Sequence, residues 1–206
     1  MELPSLMLGG APVRHAHSCL SLSNKLFHTL FELLSPTALP TTTDSSPPEN
    51  RVILSVGSGT GLLESLMISY FASNQSIYPQ SACLSVEGIE VWQADSAELA
   101  NKYLSEPFIN NVRSSREISS RLRDPEVFAI MFVYPRQPSL LSLYMTTILE
   151  MKLATRVVIW LGPVADWAEY ESCFTRSDTS HTLDVYEGDD VGIWSYEMMA
   201  VWKFQS

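Results

Sequence analysis

Apolar residues recur with two different periods along the chain, and each period predicts one type of element. Between residues 22 and 34, leucines and phenylalanines stand at helical spacing, which predicts one amphipathic helix. Residues 35–50 are rich in Pro, Ser and Thr and show no apolar period, so we expect a linker there. These patterns divide the chain into a helical leader with its linker, residues 1–50, and a main domain, residues 51–206.

After the linker, apolar runs alternate with segments of helical spacing. The apolar runs predict strands at residues 52–56, 82–91, 127–134, 156–161, 182–186 and 196–204, with a weaker strand near residues 111–113. Helical spacing predicts helices at residues 62–74, 96–104 and 139–151. The alternation favours one α/β domain with a mainly parallel sheet, and the last two strands favour a terminal hairpin.

The first predicted strand runs directly into a glycine-rich turn. Residues 52–61 read Val-Ile-Leu-Ser-Val-Gly-Ser-Gly-Thr-Gly, and a helix follows. Because glycine has no Cβ, such a turn lets the backbone approach a ligand closely. A phosphate-binding loop would end in Gly-Lys-Ser/Thr, but Gly61 is followed by Leu62 and Leu63. A dinucleotide fingerprint would need glycine at position 62. The spacing therefore disfavours both ligand classes and leaves another nucleotide-type ligand.

The segment resembles the first motif of class I S-adenosylmethionine-dependent methyltransferases, where a hydrophobic strand leads into Gly-x-Gly-Thr-Gly and a helix. This resemblance implies an α/β fold with a mainly parallel, seven-stranded Rossmann-like sheet, a C-terminal antiparallel hairpin and helices on both faces. It also implies S-adenosylmethionine as the cofactor. The residues that it implies in cofactor binding are Ser55, Gly57, Ser58, Gly59, Gly61, Glu90, Val91 and Ser115.

Within this set, Glu90 is the acid that the resemblance implies at the end of the second strand. Its carboxylate would accept hydrogen bonds from both ribose hydroxyls of the cofactor. Glu87 is the competing candidate, but Gly88-Ile89-Glu90 fits the glycine-hydrophobic-acid pattern of the family better. Two positions depart from that pattern: Ser55 replaces an acid that often precedes the loop, and Ser115 replaces one that often follows the third strand.

The fourth predicted strand ends at Tyr134-Pro135-Arg136, without the Asp-Pro-Pro-Tyr signature of amide-nitrogen methylation. Tyr134 would orient the substrate or offer its ring to the sulfonium by cation–π attraction, or it simply closes the core. Arg136 would bind a carboxylate substrate, or it is a surface arginine. His15 and His17 are candidates for a catalytic base, because a leader helix of this family often folds over the cofactor site. Solvent exposure is the alternative for both histidines.

Composition and charge bear on the partners. Hydrophobic residues make up 46% of the chain and charged residues 17%, a balance typical of a globular domain. The net charge is −10, so the chain as a whole repels phosphate backbones and anionic lipid surfaces. We therefore expect a small-molecule substrate, no nucleic acid and no membrane. The apolar leader helix would allow a homodimer or a partner chain to dock there.

The cysteines and the N-terminal sequence indicate the cellular compartment of the protein. Cys19, Cys83 and Cys173 are far apart, with no CxxC pair and no histidines at metal-ligand spacing, which predicts buried thiols and no metal site. The sequence starts without a signal-like region, and no apolar stretch approaches the ~20 residues that cross a bilayer. These features lead us to expect a cytoplasmic protein.

Three functional hypotheses fit these patterns. The first is an S-adenosylmethionine-dependent methyltransferase that acts on an oxygen or nitrogen of a small molecule. The second is a methyltransferase-fold protein without methyl transfer, either a cyclase or isomerase or a ligand-binding accessory subunit, which the departure at Ser55 favours. The third is a binding module that docks on another protein through its leader helix. The identity of the acceptor and of the base stays open at this level.

Overall fold

The computed structural model describes residues 9–35, 50–74, 84–91, 100–175 and 181–204. A strand pair and a helix come first: β1 Val13–His15, β2 Ser18–Leu22 and α1 Asn24–Leu34. The following elements are β3 Arg51–Val56, α2 Leu62–Asn74, β4 Leu84–Val91, β5 Ile109–Val112, β6 Val127–Val133, α3 Pro138–Glu150, β7 Val157–Pro163, α4 Trp167–Phe174, β8 His181–Glu187, α5 Gly188–Val191 and β9 Glu197–Phe204. Short 3-10 turns connect several of them.

Strands β3 to β9 form one seven-stranded sheet in the order β5-β4-β3-β6-β7-β9-β8. Strands β3 to β7 are parallel to one another, whereas β9 runs antiparallel to both β7 and β8. The carboxyl ends of the parallel strands therefore share one edge with the start of β9, where Pro163 pairs with Glu197. The predicted fold class is confirmed, including the terminal hairpin. In such sheets, ligands bind at the carboxyl ends of the strands, at the point where the strand order reverses. Here the order reverses between β3 and β6.

Side chains of the sheet alternate between two apolar layers. Ile53 packs into a layer with α1 and α2, and its neighbour Leu54 packs into the layer with α3 and α4. Strands β6 and β7 are buried on both faces, as their continuous apolar sequences predict. The two layers thus hold the carboxyl edge of the sheet on a rigid support.

Helix α1 lies in the first of these layers. The Ser23 hydroxyl caps it by accepting from the Leu26 backbone N–H at 3.0 Å. Leu30 is fully buried, and the ring of Phe31 lies 5.5 Å from that of Phe71 in α2. The expectation that this apolar face receives a second copy or a partner chain is wrong, because the face packs on its own domain.

The predicted and observed elements agree within a few residues for every strand of the sheet. The predicted helix at residues 96–104 differs: residues 100–104 form turns, and residues 96–99 lie outside the described residues. So do most of the predicted linker and Cys83. The strand pair β1–β2 and helix α4 were not predicted. Cys19 was expected to be buried but is exposed, and Cys173 is half-buried.

None of the helices in the described part of the chain combines the length and apolar character that crossing a bilayer requires.

Replacing Leu30 by alanine tests whether α1 belongs to the core. Because Leu30 is fully buried, we expect Leu30→Ala to lower the free energy of unfolding by roughly 2 to 5 kcal/mol. The matched control is Glu32→Ala in the same helix, whose side chain is 62% exposed; it should change stability by no more than about 0.5 kcal/mol. Urea unfolding measures both. Equal stabilities of the two variants would show that α1 does not pack on the domain.

Candidate functional site

Three glycines shape the turn between β3 and α2. Gly57, Gly59 and Gly61 have φ angles of +79°, +58° and +74°, which L-residues rarely adopt. A Cβ added at Gly57 or Gly59 would meet no heavy atom within 4 Å, whereas one at Gly61 would lie 2.9 Å from Leu104 Cγ. The first two glycines therefore leave open space above the loop, and the third allows close packing.

Backbone hydrogen bonds hold the loop against the end of β4. The N–H groups of Gly57 and Ser58 donate to the Ile89 carbonyl at 2.8 and 3.2 Å. The Asn101 N–H donates to the Gly59 carbonyl at 2.7 Å, and the Ser58 hydroxyl donates to Asn101 Oδ1 at 2.6 Å. The Ser58 side chain is thus used to anchor the loop.

Glu90 closes the other side of this loop. One carboxylate oxygen accepts from the Gly59 N–H at 2.7 Å, and the other accepts from the Val91 N–H at 2.9 Å. Glu87, the competing candidate, is buried and forms an ion pair with Arg121 at 2.8 Å. Of the two acids, only Glu90 is placed at the loop.

A cleft of about 810 Å³ opens at the carboxyl edge of the sheet above β3, β4, β5 and β6. This volume lies within the range of about 300 to 1,000 Å³ that small-molecule sites occupy. Its apolar walls include Ile89, Val91, Val112, Leu140 and Tyr144. Its polar lining includes Glu90, Arg113, Ser115, Glu117 and Arg136. The cleft thus combines apolar surface for a ring system with charged groups of both signs.

Beneath the loop, Ser55 is fully buried and donates to Glu64 Oε1 at 2.5 Å. Glu64 lies in the first turn of α2 and is itself buried, and its Oε2 has no hydrogen-bond partner among the described residues. Burial raises the pKa of Glu64 to about 7. A carboxyl group therefore lies next to the position where the strand carries serine, but it comes from the helix.

Tyr134 lines the cleft directly after β6. Its φ is +50°, and its N–H donates to the Leu161 carbonyl at 2.7 Å. Its hydroxyl donates to Glu197 Oε1 at 2.6 Å. Burial and this hydrogen bond raise the pKa of Tyr134 well above its usual range. The phenol therefore stays protonated at neutral pH, and it can orient a ligand but not act as a base.

Glu197 is fully buried at the start of β9 and accepts further hydrogen bonds. The Ser21 N–H donates to Oε1 at 3.2 Å, and the Ser21 hydroxyl donates to Oε2. The Trp194 N–H donates to Oε2 at 3.1 Å. This carboxylate consequently joins β2, the segment after β6 and the turn before β9.

The strand pair β1–β2 crosses the carboxyl edge from the glycine loop to Glu197. At one end, the Thr60 hydroxyl donates to the His17 carbonyl at 2.7 Å, and Cys19 lines the cleft between the two ends. The alternation of Leu20 and Leu22 with Ser21 was the only signal of this pair in the sequence. The leader therefore borders the cleft with a hairpin and not with its helix.

The two leader histidines are placed beside this hairpin, not in the cleft. His17 Nδ1 lies 2.6 Å from the Tyr103 hydroxyl, and its Nε2 lies 3.2 Å from Lys102 Nζ. Partial burial and the charge of Lys102 lower the pKa of His17. His15 accepts from the His17 N–H at 3.1 Å. Neither ring is among the described groups that line the cleft.

The structure thus divides the predicted site residues into two groups. Those that line the cleft are Gly57, Gly59, Glu90, Val91, Ser115, Tyr134 and Arg136. Those that lie outside its described lining are Ser55, Ser58, Gly61, His15 and His17. Ser55 and Ser58 instead support the loop from below. The residues that the sequence did not point to are Glu64 and Glu197, because each acquires its partners only through the fold.

Solved methyltransferase structures share this fold. The methyltransferase domain of bacterial CtHen1 has a TM-score of 0.53 and 14% identity over 87% of this chain and 98% of that chain. An rRNA methylase from Streptococcus thermophilus has a TM-score of 0.50 and 12% identity over 77% and 89%. The MTase domain of METTL16 has a TM-score of 0.50 and 12% identity over 87% and 66%. No family model matches the sequence, and no curated protein does. The chain has the class I methyltransferase fold.

This comparison corrects one expectation. The net charge of −10 predicts that nucleic acid is not a partner, and the comparison contradicts this prediction. An rRNA methylase shares this fold, so the fold is compatible with a nucleic-acid substrate. Net charge describes the whole surface, whereas recognition depends on the charges that line a site.

Replacing Glu64 by glutamine tests the buried carboxyl group. Between its ordinary pKa of 4.5 and the folded value of about 7, the unfolded chain loses a proton that the folded chain keeps, so stability falls as pH rises. Glu64→Gln removes this loss. We expect its stability relative to wild type to rise by up to about 3 kcal/mol from pH 4 to pH 8.

The measurement is urea unfolding at several pH values. Glu106→Gln removes an exposed acid and controls for the change in net charge. A stability difference between Glu64→Gln and wild type that stays constant from pH 4 to pH 8 would contradict the assignment.

Proposed function

We propose that this protein is an S-adenosylmethionine-dependent methyltransferase that acts on an oxygen or nitrogen atom of a small acceptor. The observation that carries the proposal is the open glycine loop beside Glu90, at the carboxyl edge of a sheet with the methyltransferase fold. Fold alone does not define an activity, so the argument depends on this site.

The lining of the cleft fits the parts of the cofactor. Gly57 and Gly59 leave room for the methionine portion to approach the backbone. Each oxygen of Glu90 accepts one backbone N–H and keeps a further lone pair for a ribose hydroxyl. Val91 and Val112 offer apolar surface to the adenine ring. This order of polar and apolar groups supports the assignment of the cleft to the cofactor.

When bound, S-adenosylmethionine supplies a methyl group on a positively charged sulfur atom. The protein contributes mainly placement, since a displacement at carbon gains most from correct orientation. Tyr134 is held by Glu197 and Leu161, so its ring can face the methyl group by cation–π attraction, worth ~0.5 to 2 kcal/mol. The exposed Arg136 at the rim can hold an acidic part of the acceptor.

One observation favours the second candidate function, a methyltransferase-fold protein that binds the cofactor without methyl transfer. The described lining of the cleft contains no histidine or lysine, and its two carboxylates hold backbone groups: Glu90 accepts from Gly59, and Glu117 accepts from the Arg113 N–H at 2.6 Å. A base is needed only when the acceptor must lose a proton before or during transfer. An acceptor nitrogen with a free lone pair would not require one.

Calorimetry with S-adenosylhomocysteine tests the cofactor site. Because Glu90 would accept two charge-assisted hydrogen bonds from the ribose, we expect Glu90→Gln to weaken binding roughly tenfold to a hundredfold. Gly59→Ala places a methyl group above the loop and should weaken binding at least as much. Gly10→Ala, on an exposed segment, is the control. If the wild-type protein did not bind S-adenosylhomocysteine at millimolar concentration, the proposal would be wrong.

Mass spectrometry of products separates the two candidate functions. The wild-type protein is incubated with S-adenosylmethionine and candidate acceptors. An acceptor that gains one methyl group while S-adenosylhomocysteine accumulates is the result we expect. Cofactor binding together with an acceptor product of unchanged mass would reject methyl transfer and support the second function.

A further inference from the structure

Two aromatic side chains stand exposed just before β9, at the carboxyl edge of the sheet. Trp194 and Tyr196 are 41% and 42% exposed, and no other Trp, Tyr or Phe among the described residues is exposed to this degree. Their ring centroids are 5.8 Å apart, with 35° between the planes. Trp and Tyr offer large, rigid contact surface, and aromatic side chains commonly line small-molecule sites.

The guanidinium group of Arg14 extends this aromatic pair on one side. The guanidinium carbon of Arg14 lies 5.7 Å from the ring centroid of Tyr196, and Arg14 is exposed. The order along the surface is therefore Arg14, Tyr196, Trp194. Guanidinium groups stack on planar rings and also bind phosphate and carboxylate groups, so the row offers both stacking and a positive charge.

The backbone places this row beside Tyr134. The Glu197 N–H donates to the Trp194 carbonyl at 2.8 Å, and the Val164 N–H donates to the Tyr196 carbonyl at 2.9 Å. Glu197 in turn accepts from the Tyr134 hydroxyl at 2.6 Å. One buried carboxylate thus separates the exposed rings from a residue that lines the cleft.

Exposed arginines near the row can pair with an anionic ligand, although the exposed Asp189 and Asp190 of α5 precede Trp194 by five and four residues. Glu197 is buried, and both of its oxygens are engaged by donors of the protein, so it presents no free acceptor to the surface. Arg14 is exposed beside the rings, and Arg136 is exposed at the rim of the cleft. A ligand that spans from the rings to the cleft would therefore meet positive side chains at both ends.

We propose that Arg14, Tyr196 and Trp194 form an acceptor platform, which holds a planar aromatic acceptor that carries a phosphate or carboxylate group. The proposal rests on the proposed methyltransferase function and names the class of its acceptor. The planar ring stacks on Trp194 and Tyr196, the anionic group pairs with Arg14, and the atom that receives the methyl group points toward Tyr134. A nucleotide and a small aromatic acid share this chemistry.

Calorimetry on the full chain saturated with S-adenosylhomocysteine tests the platform. The probes are adenosine 5′-monophosphate and 4-hydroxybenzoate, with adenosine and phenol as their neutral counterparts. We expect at least one anionic probe to bind, roughly tenfold more tightly than its neutral counterpart. Binding of the monophosphate alone points to a nucleotide, and binding of the benzoate alone points to a small acid; both support the platform.

Substitutions locate the bound probe. Trp194→Ala should weaken binding of the anionic probe about tenfold through lost stacking. Arg14→Gln removes the exposed guanidinium beside Tyr196, and it should reduce the preference for the anionic over the neutral probe. The control is Met151→Ala, which removes an apolar side chain that is 49% exposed elsewhere on the surface. All three variants should bind S-adenosylhomocysteine as wild type does.

Three outcomes would overturn the platform. The first is saturation with S-adenosylhomocysteine without binding of either anionic probe, which leaves the proposed function intact. The second is probe binding that neither Trp194→Ala nor Arg14→Gln alters. The third is a concentration-dependent dimer that is lost in Trp194→Ala, measured by sedimentation, because a second copy would then occupy the rings. Failure of S-adenosylhomocysteine to bind would instead overturn the proposed function and the platform with it.

Discussion

The carboxylate of Glu197 lies fully buried at the carboxyl edge, and the arrangement of that edge depends on how the charge is satisfied. Leaving a buried carboxylate without partners costs several kcal/mol, so donors must converge on it. They come from three distant parts of the chain: Ser21 in β2, Tyr134 after β6 and Trp194 before β9. These hydrogen bonds join the hairpin, the segment after β6 and the turn before β9, and they hold the Tyr134 hydroxyl at Glu197.

A second buried carboxyl group, that of Glu64, lies under the glycine loop. It is next to Ser55, the position where the family often carries an acid. The Ser55 hydroxyl contacts Glu64, nine residues later in the chain. The acidic group is therefore present next to the strand, although it comes from α2. Glu64 is buried and does not belong to the described lining of the cleft, so it supports the loop from below and does not take over a ligand contact.

The difference between local sequence patterns and contacts that form only in the fold explains how much of the molecule the sequence could predict. Strands β6 and β7 are continuous apolar runs buried on both faces, and the loop from Gly57 to Gly61 has a local sequence signature, so both could be predicted from the sequence. Strand β1 has three residues and β2 has five, and their position depends on contacts with residues more than 170 positions away. No local pattern encodes such contacts. The role of Glu197 could not be predicted for the same reason.

The distribution of charge shows why the net charge does not predict which partners the protein binds. Several acids that contribute to −10 face no ligand: Glu87 pairs with Arg121, and Glu64 and Glu197 are buried. Exposed arginines, in contrast, stand at the rim of the cleft and beside Tyr196. Because screening limits the reach of exposed charges to about 10 Å at moderate salt, the potential that an acceptor meets at this edge depends on the charges there, which include Glu90 and Glu117 as well as the arginines. The acceptor class must therefore be inferred from the edge of the sheet, not from the total charge.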